Sequence, residues 1–442
     1  MKNIIKKIVV YSTALLVLGC NKKLDTIPTE SIDTNDALNT SGDVKGALVG
    51  AYKDFGTADF FGGRIFLEGD LMTYGNEIAW SGTYQELTQI NNASIPVDNG
   101  FVSGNWLAGY EAINDANNVL AALNVVVAAE KDQVEGEAKF IRGSSYFELV
   151  KKFGKAWNDG DPTTNPGVPI VLTPTRIVNN DSKVKRNTVS EVYAQVIQDL
   201  KDAEAKLPQD NGFFANQASA SAMLARVYLQ MGDYANAAIE ADNAISTTDA
   251  ELASTYAEAF GATSKEDIFA IQVTVNSGLQ GFNEFYSEDQ RAEIQVTDEH
   301  LALYDPNDDR LNLFNSDYYT LKFEELYGNV HTIRLAEMYL VRAEANFRAS
   351  TNVGDEPVND INLIRNRVNL PSYDAADLTL DIILNERRLE LAFEGFALDD
   401  LKRLEGSIND LGNIEWNSPK LIFPIPKREI NVNANLTQNE GY

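Results

Sequence analysis

The chain has 442 residues, 37 Lys+Arg against 65 Asp+Glu, and a formal net charge of −28. So acidic a body repels phosphate backbones and other anionic polymers, which argues against nucleic acid and favours a neutral ligand. A single cysteine excludes a disulfide framework, and only two histidines, His300 and His331, leave little material for a metal hydrolase or a Ser-His or Cys-His scheme.

The first element is a leader. Lys2, Lys6 and Lys7 precede the 12-residue apolar run "IVVYSTALLVLG", which suits a signal-peptide core and is too short to span a membrane. Small Gly19 then precedes Cys20, the pattern of a bacterial lipoprotein signal. Residues 1–19 are read as that signal and Cys20 as the lipidated first residue of the mature chain. Several acyl chains make a stable anchor, since each buried methylene adds about 0.8 kcal/mol.

Helical periodicity dominates the mature chain. Residues 55–104 interrupt it, being rich in Gly, Asn, Ser and aromatics. "NWLAGYEAINDANNVLAALN" and "VEGEAKFIRGSSYFELVKKFG" read as a helix pair, with Trp106 and Tyr110 one turn apart on a core face. Residues 153–187 carry repeated Gly and Pro and read as an extended loop bearing Trp157, a contact for a ligand or a partner protein. "VSEVYAQVIQDLKDAEAKL" places Val189, Val192, Tyr193, Val196, Ile197, Leu200, Ala203 and Leu207 on one face, capped by Thr188 and stopped by Pro208. "NQASASAMLARVYLQMGDYANAAIEADNAI" reads as two helices joined at Gly232-Asp233, with alanines on the contact faces, in the manner of a tetratricopeptide unit. "DIFAIQVTV" alternates like a short strand, residues 274–296 form a third irregular segment, and "IRLAEMYLVRAEANFRA" with "VNDINLIRNRV" makes a further pair. "KLIFPIPKREI" reads as another strand, with Trp416 near it as a structural residue. "DPNDDR" at 305–310 starts like a calcium loop but lacks its sixth-place glycine and twelfth-place glutamate, so no metal or other cofactor is expected. G-x-S-x-G, Walker and G-x-G-x-x-G motifs are absent from the sequence.

Several stretches in order resemble the SusD/RagB family of outer-membrane nutrient-binding lipoproteins. They are "CNKKLDTIPTESI", "NWLAGYEAINDANNVL", "AKFIRGSSYFELVKKFGK" (with Gly143 where alanine is usual), "ASAMLARVYLQMGDYANAAIEADNAI", "IRLAEMYLVRAEA", "INLIRNRV", "ILNERRLELAFEGFALDDLKR" and "LIFPIPKREINVNANLTQNEGY". The resemblance covers essentially the whole mature chain. It implies a mostly helical SusD-like fold, with tetratricopeptide-like helix pairs, long loops and a few short strands. It implies one domain over 20–442, with binding loops and helical repeats in 20–230 and a C-terminal RagB/SusD region in 265–442. It further implies an outer-membrane, lipid-anchored, surface-facing binding protein that does no covalent chemistry and partners a SusC-like TonB-dependent transporter. Glu386, Arg387, Arg388, Glu390 and Glu394 fall at helical spacings that suit structural Glu–Arg pairs.

Neutral sugars present flat C–H patches edged with hydroxyls, which Trp and Tyr stack against while Asn, Asp, Glu or Arg bond the rim. Exposed loop aromatics are therefore the signal to seek. "YGNEIAWSGTYQEL" supplies Tyr74, Trp80 and Tyr84 among Asn76, Glu77 and two glycines. "GFNEFYSEDQR" supplies Phe282, Phe285 and Tyr286 beside Asn283 and Glu284, with Arg291 nearby. The expected function is capture of a neutral oligo- or polysaccharide, with Trp80 and Tyr84 as platform, Phe285 or Tyr286 assisting, and Asn76 and Glu77 serving hydroxyls. The alternatives are a lipid-anchored glycoside hydrolase, since 65 acids always allow a carboxylate pair, and a SusD-like lid for a non-sugar nutrient such as peptides.

Overall fold

The computed structural model describes residues 38–442 apart from 178 and 411. The signal 1–19 and Cys20 lie outside the described residues. Among the described residues, no helix is long and apolar enough to cross a membrane.

The architecture is mostly helical. The first part comprises α1 (Ser41–Phe55), α2 (Arg64–Thr73), the short strand β1 (Ile78–Trp80), α3 (Gln85–Asn91), α4 (Gly100–Ala121), α5 (Lys131–Phe153) and α6 (Val189–Lys206). Next come α7 (Gln217–Met231), α8 (Tyr234–Thr247), β2 (Asp267–Ile271), α9 (Gly281–Tyr286), β3 (Ile294–Val296), α10 (Asp298–Leu301) and β4 (Val330–Arg334). The rest is α11 (Leu335–Ala349), α12 (Pro357–Arg367), α13 (Leu380–Glu390), α14 (Ala397–Arg403), β5 (Ser407–Ile408), β6 (Ile414–Glu415) and α15 (Lys427–Val432).

The helices stack as the periodicity predicts. α1 packs on α4, α4 on α5, α5 on α6, α6 on α7, α7 on α8 and α8 on α11. α6 starts on a capping box between Thr188 and Glu191 and buries Val189, Val192, Tyr193, Val196, Leu200 and Ala203. α7 ends on Gly232, whose φ of +71° is the left-handed conformation that stops a helix cheaply only at glycine. Asp233 then caps α8. Ala222, Ala225, Ala237, Ala238, Ala241 and Ala244 are wholly buried, which lets the helix backbones approach closely. Trp106 is buried in the same core and tilts against Tyr110 at 4.8 Å. Trp157 packs on Tyr193 at 5.0 Å rather than standing free on its loop.

Three expectations need correction. Residues 55–104 are not irregular: they hold α2, α3 and the start of α4. α2 escaped notice because it is enclosed on all sides. Ile65 through Met72 are buried without interruption, so no polar face gives it a period. Residues 274–296 likewise hold α9 and β3. "KLIFPIPKREI" is no strand: Pro419–Leu421 is a 3₁₀ turn and Lys427 opens α15, because prolines at 424 and 426 break any ladder. "DIFAIQVTV" does supply a strand, β2, paired antiparallel with β4.

The "NERRLELAFEGF" acids and arginines form a buried network, as their spacing suggests. Arg334 bonds Glu266, Glu390 and Glu394; Arg367 bonds Glu266 and Glu390; Arg310 bonds Asp308 and Glu386. Arg387 bonds Asp400 at 2.8 Å. Arg388 departs from this pattern, its side chain being 47 % exposed.

Candidate functional site

The site begins with two short strands. β1 and β3 pair antiparallel, with Trp80 opposite Ile294 and Ile78 opposite Val296. The backbone N–H of Ser81 extends the ladder to the carbonyl of Glu293 at 2.9 Å. The indole of Trp80 is half-buried. Its Nε1–H donates to Thr88 Oγ1 at 2.9 Å, which fixes the ring plane. A Cβ at Gly82 would overlap Cη2 and Cζ2 of the same ring, so the chain bends closely over the indole at a residue that has none.

Tyr84, just before α3, is 37 % exposed. Its ring meets Phe101 edge-on at 5.4 Å and Phe285 at 6.1 Å. The Arg291 guanidinium lies over it, 4.4 Å from the ring centre. Arg291 is held there by Nη2–H bonds to Thr83 Oγ1 and Glu293 Oε1. The bond to Glu293 holds its proton more firmly than usual. A second arginine continues the row. Arg64 stands 5.3 Å from the Phe101 ring and pairs with Glu284 at 2.9 Å and with Asp59. Burial opposes the Arg64 charge, but its bonds to Glu284 and Asp59 outweigh that and raise its pKa. The result is a ridge of partly exposed rings, Trp80, Tyr84 and Phe101, edged by two arginines and their carboxylates.

The aromatics of "GFNEFYSEDQR" do not join this ridge as exposed rings. Phe282, Phe285 and Tyr286 sit on α9 and are buried. Phe282 stacks on Phe323 at 4.7 Å, and Tyr286 meets Phe323 and Phe393. The physical cause is the helix itself: a six-residue turn packs its apolar face inward, and Asn283 anchors it by donating to the Phe323 carbonyl at 2.7 Å. Phe285 serves as the floor under Trp80 and Tyr84. Gly281 brings α9 against α2, its N–H donating to the Gly62 carbonyl at 2.7 Å, which sets Glu284 beside Arg64.

Two further expectations change. Tyr74 is buried, and its hydroxyl accepts the backbone N–H of Phe393 at 2.9 Å. Glu77 is engaged within the fold: one oxygen takes Arg388 and the other lies 2.8 Å from Nδ1 of His300. Burial lowers the pKa of His300, against the pull of Glu77. Asn76 is exposed, but its backbone is engaged by Asp410 and Thr297 at the far end of β1 from Trp80. Phe101, Arg64 and Asp59 were missed. They lie in segments that show neither motif nor helical period, and only the fold gathers them. No group of three or more His, Cys, Asp or Glu among the described residues is arranged to hold a metal ion.

The comparisons with known proteins agree with this architecture. A family model described as "Starch-binding associating with outer membrane" matches residues 29–229, and the SusD family model matches residues 315–415. The chain belongs to the SusD/RagB family. Within that family it is 26 % identical to SusD-like protein P2 of Formosa agariphila, over 99 % of both chains. It is 32 % identical to the starch-binding protein SusD of Bacteroides thetaiotaomicron over 26 % of this chain and 22 % of that one. A crystal structure of a SusD superfamily protein from B. thetaiotaomicron superposes with a TM-score of 0.81 at 25 % identity, covering 90 % of this chain and 99 % of that chain. The mostly helical fold is thus the SusD fold.

Proposed function

We propose that this SusD-like chain is a lipid-anchored, carbohydrate-binding protein of the outer membrane, which captures an oligo- or polysaccharide and passes it to a SusC-like TonB-dependent transporter. The observation that carries the reading is the ridge of Trp80, Tyr84 and Phe101, whose rings are partly exposed and held in fixed planes. Sugar C–H faces stack on such rings, while Arg291 and the edge of Arg64 offer donors to ring hydroxyls. The descriptions of its relatives, starch-binding and outer-membrane-associated, support the ligand class and the location. Cys20 supplies the anchor in this reading. The mechanism is binding and release: the carboxylates nearest the ridge, Glu284 and Glu293, are held by Arg64 and Arg291, an arrangement suited to positioning donors.

Affinity electrophoresis against a panel of neutral polysaccharides tests this. At least one glycan retards the wild type, and W80A and Y84A each relieve the retardation. Retardation unchanged in W80A/Y84A moves the site elsewhere. New reducing ends, lost with one Asp or Glu substitution, replace the binding reading with a hydrolase. Fractionation of cells carrying C20S, with the protein released from the membrane fraction, tests the anchor.

A further inference from the structure

The helix stack brings two carboxyl groups together with no cation joining them. Glu204 lies in the last turn of α6 and Glu240 in the middle of α8, and α7 packs against both helices. Ser221 Oγ, on α7, donates to Glu204 Oε1 at 2.8 Å. The amide of Asn243, one turn after Glu240, donates to Glu240 Oε2 at 3.0 Å and to Glu204 Oε1 at 3.5 Å. One nitrogen thus serves both carboxyl groups, which are also within hydrogen-bonding reach of each other. Glu240 is only 8 % exposed.

The charged groups around the pair leave it uncompensated. Among the described residues neither glutamate forms an ion pair. Lys201, on α6, stands over the Tyr228 ring of α7 at 5.8 Å. Arg226 of α7 is engaged by Glu337. α11 also packs on α8, and its arginines are engaged elsewhere, Arg342 with Asp242 and Asp360 and Arg348 with Glu344. Two carboxylates so placed resist ionising together.

We propose that Glu204 and Glu240 share one proton, and that this bond between a carboxylic acid and a carboxylate is a pH-sensitive clamp holding α8 to α6 beside α7. Burial first, and then the charge of Glu204, push the Glu240 carboxyl up to about 7. The folded pair therefore keeps a proton that an unfolded glutamate releases near 4.5, so the clamp is closed in mild acid and its contribution is lost as pH rises through about 7. The two charges then repel, and α8 loosens from α6 while the alanine contacts keep the stack folded. The clamp rests on the helix stack alone and is independent of the aromatic ridge.

Hydrogen exchange of the purified full chain, read by mass spectrometry of its peptides between about pH 5 and pH 8 and corrected for the intrinsic exchange rate at each pH, tests the clamp. In the wild type, protection of α8 and of the last turns of α6 falls about tenfold across that range. E240Q and E204Q each keep a hydrogen bond between the two side chains at every pH, so each flattens the fall. Glutamine has the shape of glutamic acid, so both variants melt like the wild type at about pH 5. The proposal is overturned if wild-type protection of α8 stays level across the range, or if either variant loses protection as steeply as the wild type.

Discussion

Replacing Gly82 by alanine removes no aromatic ring and no polar group, yet it tests whether the held orientation of Trp80 matters. The added methyl overlaps the six-membered part of the indole, and the backbone of Gly82 has no positive φ that would strain alanine by itself. The ring must therefore swing away, which breaks the 2.9 Å bond from Nε1 to Thr88. Loss of that bond costs about 1 kcal/mol. Loss of one stacking surface costs about 1–3 kcal/mol, by analogy with base stacking. Glycan affinity should fall roughly tenfold to hundredfold, with a small fall in stability. The assay is affinity electrophoresis, followed by calorimetry, on the neutral polysaccharide that retards the wild type. W80A and G82A/W80A complete a double-mutant cycle. If the indole is the target of the methyl, G82A/W80A binds no worse than W80A. Full additivity, or G82A binding like the wild type, refutes the reasoning.

The other predictions concern the rim and the buried charges. Arg291→Gln removes the cation over Tyr84 and one bond to Glu293; it should weaken glycan binding less than Tyr84→Ala does, by about 1 kcal/mol, in the same calorimetric titration. Glu390→Gln removes the shared partner of Arg334 and Arg367 and leaves both guanidinium groups under-compensated in the core; a loss of about 3–5 kcal/mol in denaturant unfolding is expected, and a loss below about 1 kcal/mol contradicts the network. Burial pushes Glu68 up to about 8 and Asp70 up to about 7. The folded chain therefore holds protons that the unfolded chain has released between about pH 4.5 and 8, so these groups lower stability as pH rises through that window. Thermal unfolding of Glu68→Gln should fall less steeply across it than the wild type, while an unchanged slope removes Glu68 as the cause. At the acid end, arginines oppose the effect of burial on Glu390 and hold it at about 2, so its contribution is complete above about pH 4.5 and is lost as pH falls towards 2.

Much of the fold was legible because amphipathic helices announce themselves. α6 shows a clean apolar stripe, a Thr188 cap and a Pro208 stop, and it folds as read. α7 and α8 announce their turn through Gly232 and Asp233. The elements that stayed hidden have a common cause. α2 is buried around its whole circumference, including Glu68 and Asp70, so hydrophobic period carries no information there. α9 is six residues long, too short to show a period, and its polar Asn283 points inward to a carbonyl. Aromatic content therefore does not separate the two places these rings take in the fold. Tyr84 is exposed, whereas Phe285, set in a polar-looking run, is the floor beneath it. Glu77 misled for a similar reason: its partners, His300 and Arg388, come from 223 and 311 residues away.

That long reach explains how exposed rings can be kept rigid on what looks like a loop. The segment from Tyr74 to Tyr84 has only three residues of strand to hold it, and an isolated two-stranded pairing is marginal in water. Here its far end is fixed by Glu77 to His300 and Arg388, its middle by β3, and its near end by Thr83 to Glu293 and Arg291. Arg64, from α2, ties the same region to Glu284 on α9. All but one of these partners lie beyond residue 280, in the half of the chain that carries no exposed ring of the ridge. The N-terminal half supplies the rings and the C-terminal half mainly holds their planes. In the proposed function, a platform so supported would lose little conformational freedom when a sugar stacks on it, which would allow a few rings to bind without an enclosing pocket.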